Sequence, residues 1–97
     1  MDIGQAMKAL KSGRKVYREG WDGRRRGLDM YLWYKPPTTV KAAWCHDPRL
    51  LEICEAYGGE CQAYGCICVN YGDGHITSGW GAWDEDLLAD DWRVKDE

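Results

Sequence analysis

The chain contains no phenylalanine, although six tryptophans and six tyrosines occur in its 97 residues. Phenylalanine fills a core as well as tryptophan does. Its replacement by rings with a polar handle points to aromatic faces that stack and hydrogen-bond at once. Long apolar runs are missing too: none approaches the roughly 20 residues a membrane-spanning helix requires. From Met1 to Lys15, Asp2, Gln5, Lys8 and Lys11 interrupt the apolar residues, so the pattern of a secretory signal is absent and a cytoplasmic location is expected. Neither G-x-x-x-x-G-K-S/T nor G-x-G-x-x-G occurs, which excludes the familiar phosphate-binding glycine loops. Paired C-x2-C knuckles are also absent.

With 44% apolar and 30% charged residues, the composition is that of a globular protein. The length suits one hydrophobic core, so residues 1–97 read as a single domain. Five cysteines (Cys45, Cys54, Cys61, Cys66, Cys68) form an odd set without an export signal, and they read as thiols acting as small hydrophobes. The sharper alternative is zinc on Cys61, Cys66 and Cys68 with Cys45 or His46. The spacing disfavours it, and neither a metal nor a cofactor is expected. Charge is split along the chain: eleven Lys/Arg face five Asp/Glu up to Leu50, whereas two face eleven beyond it. The halves then attract each other within the fold or across a subunit interface. A protein-binding inhibitor or mimic that uses the acidic C-terminal half is the competing reading.

Local patterns predict an α+β fold: an N-terminal helix packed on a small, mostly antiparallel, twisted β-sheet, with one or two further short helices. Asp2 and Gln5 have the spacing of a capping box ahead of Ile3, Ala6, Met7 and Leu10, and Gly13 stops that helix. Lys15–Glu19 reads as a strand, residues 21–27 as a polar loop, and Leu28–Lys35 as an aromatic strand closed by Pro36-Pro37. Thr38 to Trp44 reads as extended or irregular. Asp47-Pro48 opens a helix that Gly58-Gly59 closes. Asp73-Gly74 predicts a two-residue hairpin turn, which would place Ile67, Val69, Tyr71, Ile76 and Trp80 on one core-like face and Cys66, Cys68 and Thr77 on the other. Asp84 is expected to cap a brief helix over Glu85–Ala89, followed by a closing strand at Trp92-Arg93-Val94. Trp33 and Trp92 are the expected core tryptophans.

No catalytic constellation assembles. Cys45 and His46 are neighbours whose side chains point apart on an extended chain, and no third group orients them. The acids of Asp84 to Asp86 are explained by favourable negative charge at a helix start. Binding fares better. Trp21 stands beside Arg24, Arg25 and Arg26, and Trp80 and Trp83 stand beside Asp84, Glu85 and Asp86. A flat ring for a base, cations for phosphate and carboxylates for ribose hydroxyls are the needs of a nucleotide-like ligand.

The order of these motifs carries a family resemblance. Asp2-Ile3-Gly4-Gln5-Ala6, Ala9-Leu10-Lys11-Ser12-Gly13, Lys15-Val16 and Arg18-Glu19-Gly20-Trp21-Asp22-Gly23 resemble the opening of the phage Thoeris anti-defence protein two family. Gly79-Trp80, Ala82, Asp86-Leu87-Leu88-Ala89 and Asp90-Asp91-Trp92 resemble its end. The resemblance implies a non-catalytic sponge in the host cell cytoplasm, a homotetramer that holds glycocyclic ADP-ribose signals uncut and in some relatives also cyclic dinucleotides. A small-molecule cyclic nucleotide is then the partner, and neither a membrane nor a nucleic acid polymer is. Trp21, Trp80 and Asp86 match its motif positions. Arg18 and Arg24 to Arg26 are the expected phosphate partners, and Asp22, Asp84 and Asp86 the expected sugar partners. The sequence departs from the pattern at Asp22, Trp83 and Asp84 and throughout Trp44 to Cys68.

Overall fold

A computed structural model describes residues 1–95. The chain divides into two compact units, Met1–Lys35 with Cys66–Glu97, and Pro36–Gly65.

In the first unit, α1 (Ile3–Lys11) starts where expected. Asp2 Oδ1 accepts the Gln5 N–H at 2.9 Å and Gln5 Oε1 accepts the Asp2 N–H at 3.0 Å, which closes the capping box. Strands β1 (Val16–Arg18), β2 (Tyr31–Lys35), β5 (Cys66–Asn70), β6 (Ile76–Ser78) and β7 (Trp92–Val94) form one antiparallel sheet in the order β6-β5-β2-β1-β7. Alternation along the strands sends Val16, Leu32, Val69 and Trp92 to one face, where Ala6 and Leu10 of α1 close over them. These six residues are the buried core of the unit. Tyr31 and Trp33 lie on the opposite face of β2, so Trp33, expected in the core, is only half-buried outside it. Parity along the strand decided this, because Leu32 and Tyr34 take the core side.

Residues 21–27 are not a simple loop. Asp22–Arg25 form a one-turn helix, α2, in which the Arg25 N–H donates to Trp21 O at 3.1 Å. The aromatic strand also begins later than expected, at Tyr31.

The β5–β6 hairpin forms with a register one residue away from the expected one. Gly72, Asp73 and Gly74 make a three-residue connection, and the Tyr71 N–H donates to His75 O at 3.1 Å. Side chains determine this turn: Asn70 Oδ1 accepts the Gly72 N–H at 2.8 Å and Asp73 Oδ1 accepts the His75 N–H at 3.0 Å. Thr77 then pairs with Val69 and Ile76 with Asn70, so Ile76 leaves the core face and is 67% exposed. Cys68, expected on the open face, is buried. At Gly79 (φ 91°) the strand bulges, and Ile67 O accepts both the Gly79 N–H at 3.0 Å and the Trp80 N–H at 2.8 Å. The extra residue cancels the shift and returns Trp80 to the core side. Helix α4 (Asp84–Leu88) follows, capped by Asp86 and not by Asp84: Asp86 Oδ2 accepts the Trp83 N–H at 3.0 Å.

The second unit holds β3 (Thr38–Lys41) and β4 (Glu60–Ala63), an antiparallel pair, with a 3-10 turn at Ala42–Trp44 and helix α3 (Pro48–Ala56) between them. Asp47 caps α3 through the Arg49 N–H at 2.9 Å, with Pro48 in its first turn, as the Asp-Pro pair predicts. No helix among the described residues is long and apolar enough to cross a membrane.

The hairpin makes two glycines unequal. At Gly72 (φ 77°) a Cβ would stand 2.7 Å from the Asp29 backbone nitrogen, whereas at Gly74 (φ 95°) it would meet open space. Left-handed backbone costs roughly 1–2 kcal/mol for a residue with a Cβ. Gly72→Ala is therefore expected to lower the urea midpoint clearly more than Gly74→Ala; equal losses would refute this account of the turn.

Candidate functional site

The C-terminal end of β1, the bulge after β6 and the start of α4 enclose a cleft of about 510 Å³. That lies within the roughly 300–1,000 Å³ of small-molecule sites. Its walls are aromatic. Trp92 stands behind them, fully buried, with Trp21 edge-on to it (centroids 5.5 Å apart, planes at 80°) and Trp80 likewise (6.0 Å, 88°). Two indoles are thus held against a third, which leaves Trp21 and Trp80 as the walls of the cleft. Trp83 is 79% exposed and also lines it.

Beneath the rings sits Asp86, a carboxylate only 5% exposed. Its Oδ1 accepts from the Arg18 guanidinium at 2.8 Å and from the Trp21 indole N–H at 3.1 Å, and its Oδ2 takes the Trp83 backbone N–H. Its backbone carbonyl accepts the Trp92 indole N–H at 3.1 Å. Arg18 is also bound to Asp91 at 2.8 Å, and Asp91 accepts the Gly20 N–H at 2.8 Å. A Cβ on Gly20 would lie 2.6 Å from that carboxylate, so a side chain here would push Asp91 away from its bond to the backbone.

Burial pushes the Asp86 carboxyl up, but the hydrogen bonds from Arg18, Trp83 and Trp21 outweigh it and hold its pKa below the ordinary 3.8. Asp91 is likewise lowered, by Arg18 first, and its bond to Arg18 in turn raises the guanidinium.

A profile of the Thoeris anti-defense 2-like domain matches residues 1–95. The chain belongs to this Tad2-like family. No curated protein sequence matches the chain.

In this member of the Thoeris anti-defense 2-like family, the cleft brings together Arg18, Trp21, Asp22, Trp80, Trp83 and Asp86 of the residues expected at the site. Arg24, Arg25, Arg26 and Asp84 lie outside its lining. Arg24 is committed elsewhere: its guanidinium stacks on Tyr17 at 3.4 Å, donates to Met30 O at 2.8 Å and pairs with Asp29 at 3.2 Å. Arg26 pairs with Asp22 at 3.0 Å and lines a smaller depression of about 290 Å³ that shares Trp21, Asp22, Met30 and Tyr71 with the cleft. Arg25 forms no ion pair among the described residues, and its Nη2 would lie 3.8 Å from a Cβ on Gly20, beside the cleft. Glu85, one of the three acids beside Trp83, also lines the cleft, whereas Met30, Tyr71 and the glycines flanking Trp80 were not foreseen in the lining. Gly79-Trp80-Gly81 was the available signal, since small neighbours leave an indole uncovered. Among the described residues no group of three or more His, Cys, Asp or Glu side chains is placed to hold a metal.

Because both carboxylates have depressed folded-state pKa values, their stabilisation is complete above the ordinary value and is lost as pH falls through the folded values. Stability measured by urea unfolding is expected to decline below about pH 4, and the Asp86→Asn and Asp91→Asn double variant should flatten that acid limb. At pH 7, Asp86→Asn alone should cost about 1–3 kcal/mol, as for a buried charged hydrogen-bond acceptor.

Proposed function

We propose that the chain is a non-catalytic sponge that sequesters glycocyclic ADP-ribose, with cyclic dinucleotides as a second ligand class, in the host cell cytoplasm and so blocks Thoeris defence. The observation that carries this reading is the cleft itself: the half-buried indoles of Trp21 and Trp80 and the exposed indole of Trp83 line it around a buried carboxylate, in a Thoeris anti-defense 2-like chain. The match over residues 1–95 supports treating both units as one functional domain.

Within this proposal Trp21, Trp80 and Trp83 stack on the base. The lining sets one arginine, Arg18, against Asp22, Glu85 and Asp86. An acidic cleft suits the amino group of a base and the hydroxyls of a ribose, and repels phosphate. The nucleoside portion therefore enters the cleft, with Asp22 and Glu85 as its polar partners, while the phosphates stay at the rim within reach of Arg25 and Arg26. Arg18, Arg24 and Asp86 position other groups. Asp84 receives no contact in this arrangement. Assembly into a homotetramer is part of the same proposal.

Sequestration requires affinity without turnover. Stacking contributes about 1–3 kcal/mol per base, so other contacts must supply most of the roughly 12 kcal/mol of a nanomolar complex. Titration calorimetry with glycocyclic ADP-ribose should give a saturable isotherm. Trp21→Ala and Trp80→Ala should each weaken it about 5- to 150-fold. Heating the complex should release the unmodified ligand. Absence of binding, or recovery of a hydrolysed product, ends the sponge reading. Capture of a protein partner that is indifferent to Trp21→Ala would favour the mimic instead.

A further inference from the structure

The nucleotide cleft uses none of the cysteines, yet three of them lie in the second unit. Cys54 on α3 and Cys61 on β4 approach to 3.1 Å between their sulfurs. Two free thiols at that distance are already inside ordinary van der Waals contact, and a bond would need a closing movement of about 1 Å. Their surroundings divide the labour. Cys54 is fully buried and also donates to Val40 O at 3.6 Å. Cys61 is half-buried and lines an apolar cleft of about 650 Å³ together with Val40, Leu50, Ile53 and Tyr57. The chain between them turns through Gly58-Gly59, and the Gly59 N–H donates to Cys54 O at 2.8 Å, which fixes α3 against the start of β4.

Cys66 and Cys68 do not offer the same chemistry. Their sulfurs are 3.7 Å apart, but they stand two residues apart on one face of β5. Their Cα atoms are then roughly 6.6 Å apart with parallel Cβ bonds, a poor geometry for a bridge that leaves the ladder intact. Cys45 has its thiol directed at Asp47 O, 3.5 Å away.

We propose that Cys54 and Cys61 form a modification site, a dithiol that a hydroperoxide converts into an intrachain disulfide joining α3 to β4. Cys61, the accessible sulfur, attacks one peroxide oxygen as thiolate; the O–O bond breaks, hydroxide leaves, and Cys61 becomes a sulfenic acid. The Cys54 sulfur then attacks the Cys61 sulfur. The S–S bond forms as the S–O bond breaks, and the departing hydroxide takes the Cys54 proton as water. Overall two thiols and one hydrogen peroxide give one disulfide and two waters, each sulfur losing one electron and the peroxide gaining two. The hydrogen bond with Cys61 and burial push the Cys54 thiol up to about 11, which suits it to the second, resolving step and not to the first.

The full chain is treated with hydrogen peroxide, alkylated after denaturation and cut by a glutamate-specific protease. This releases Cys54 in residues 53–55 and Cys61 in residues 61–85. The expected product joins these two peptides with the loss of two hydrogens, and fragmentation places the bridge at Cys61. Alkylatable thiols fall from the five of the sequence by two, and dithiothreitol restores them. Cys61→Ser, a near-isosteric change at a half-buried position, should abolish the bridge and leave Cys54 reduced. A bridge to Cys45, Cys66 or Cys68, or sulfinic acid accumulating on Cys61 while Cys54 stays alkylatable, overturns the proposal.

Discussion

The buried carboxylate of Asp86 is the constraint around which the first unit is arranged. A charge taken from water is tolerable only where enough donors surround it. Two of them come from a distant part of the chain, Arg18 at the end of β1 and Trp21 just beyond it, and the third is local, the Trp83 N–H ahead of α4. The carboxylate therefore sets the separation between β1 and α4, and with it the width of the cleft. It also orients the indole of Trp21, whose ring face is left for other contacts while its N–H is committed. Asp91 repeats the device on the other side of the same guanidinium, tying β1 to the segment that enters β7.

Such commitments revise what the polar groups of the site are for. Charge in a sequence looks available for a ligand, yet Arg18, Arg24 and Asp86 are already engaged within the protein. What remains at the surface of the cleft is aromatic area and acidity. An acidic aromatic cleft favours hydrogen-bond donors and disfavours anions. The buried core and the site share residues as well. Trp92 is a core side chain by burial and a site element by position, since two wall tryptophans rest edge-on against it.

Much of the fold was legible locally. Both long helices follow from short-range capping, through Asp2 with Gln5 and Asp47 with Pro48. The family resemblance rested on motifs at the two ends of the chain, and those ends meet in the sheet as β1 beside β7. The hairpin shows the limit of such reading. Asp73-Gly74 favours a two-residue turn, but Asn70 and Asp73 bond the backbone and select a three-residue one, and Gly79 then absorbs the difference. Trp80 still reaches the core-like face and Ile76 does not, because the bulge lies between them. For the site, the tryptophans were legible from composition and Glu85 from its place among the acids beside Trp83, whereas Met30 and Tyr71 carried no local signal.

The sequence by itself determined where helices start, which strands alternate and which family the motifs resemble, because caps, parity and motif order act over a few residues. Only the tertiary structure decided that aromatic faces without phenylalanine become a cleft. It brings Trp21, Trp80 and Trp92 together over a carboxylate that lies 65 residues from Trp21. Which arginine is spent within the protein and which remains free depends on partners that the linear order does not reveal.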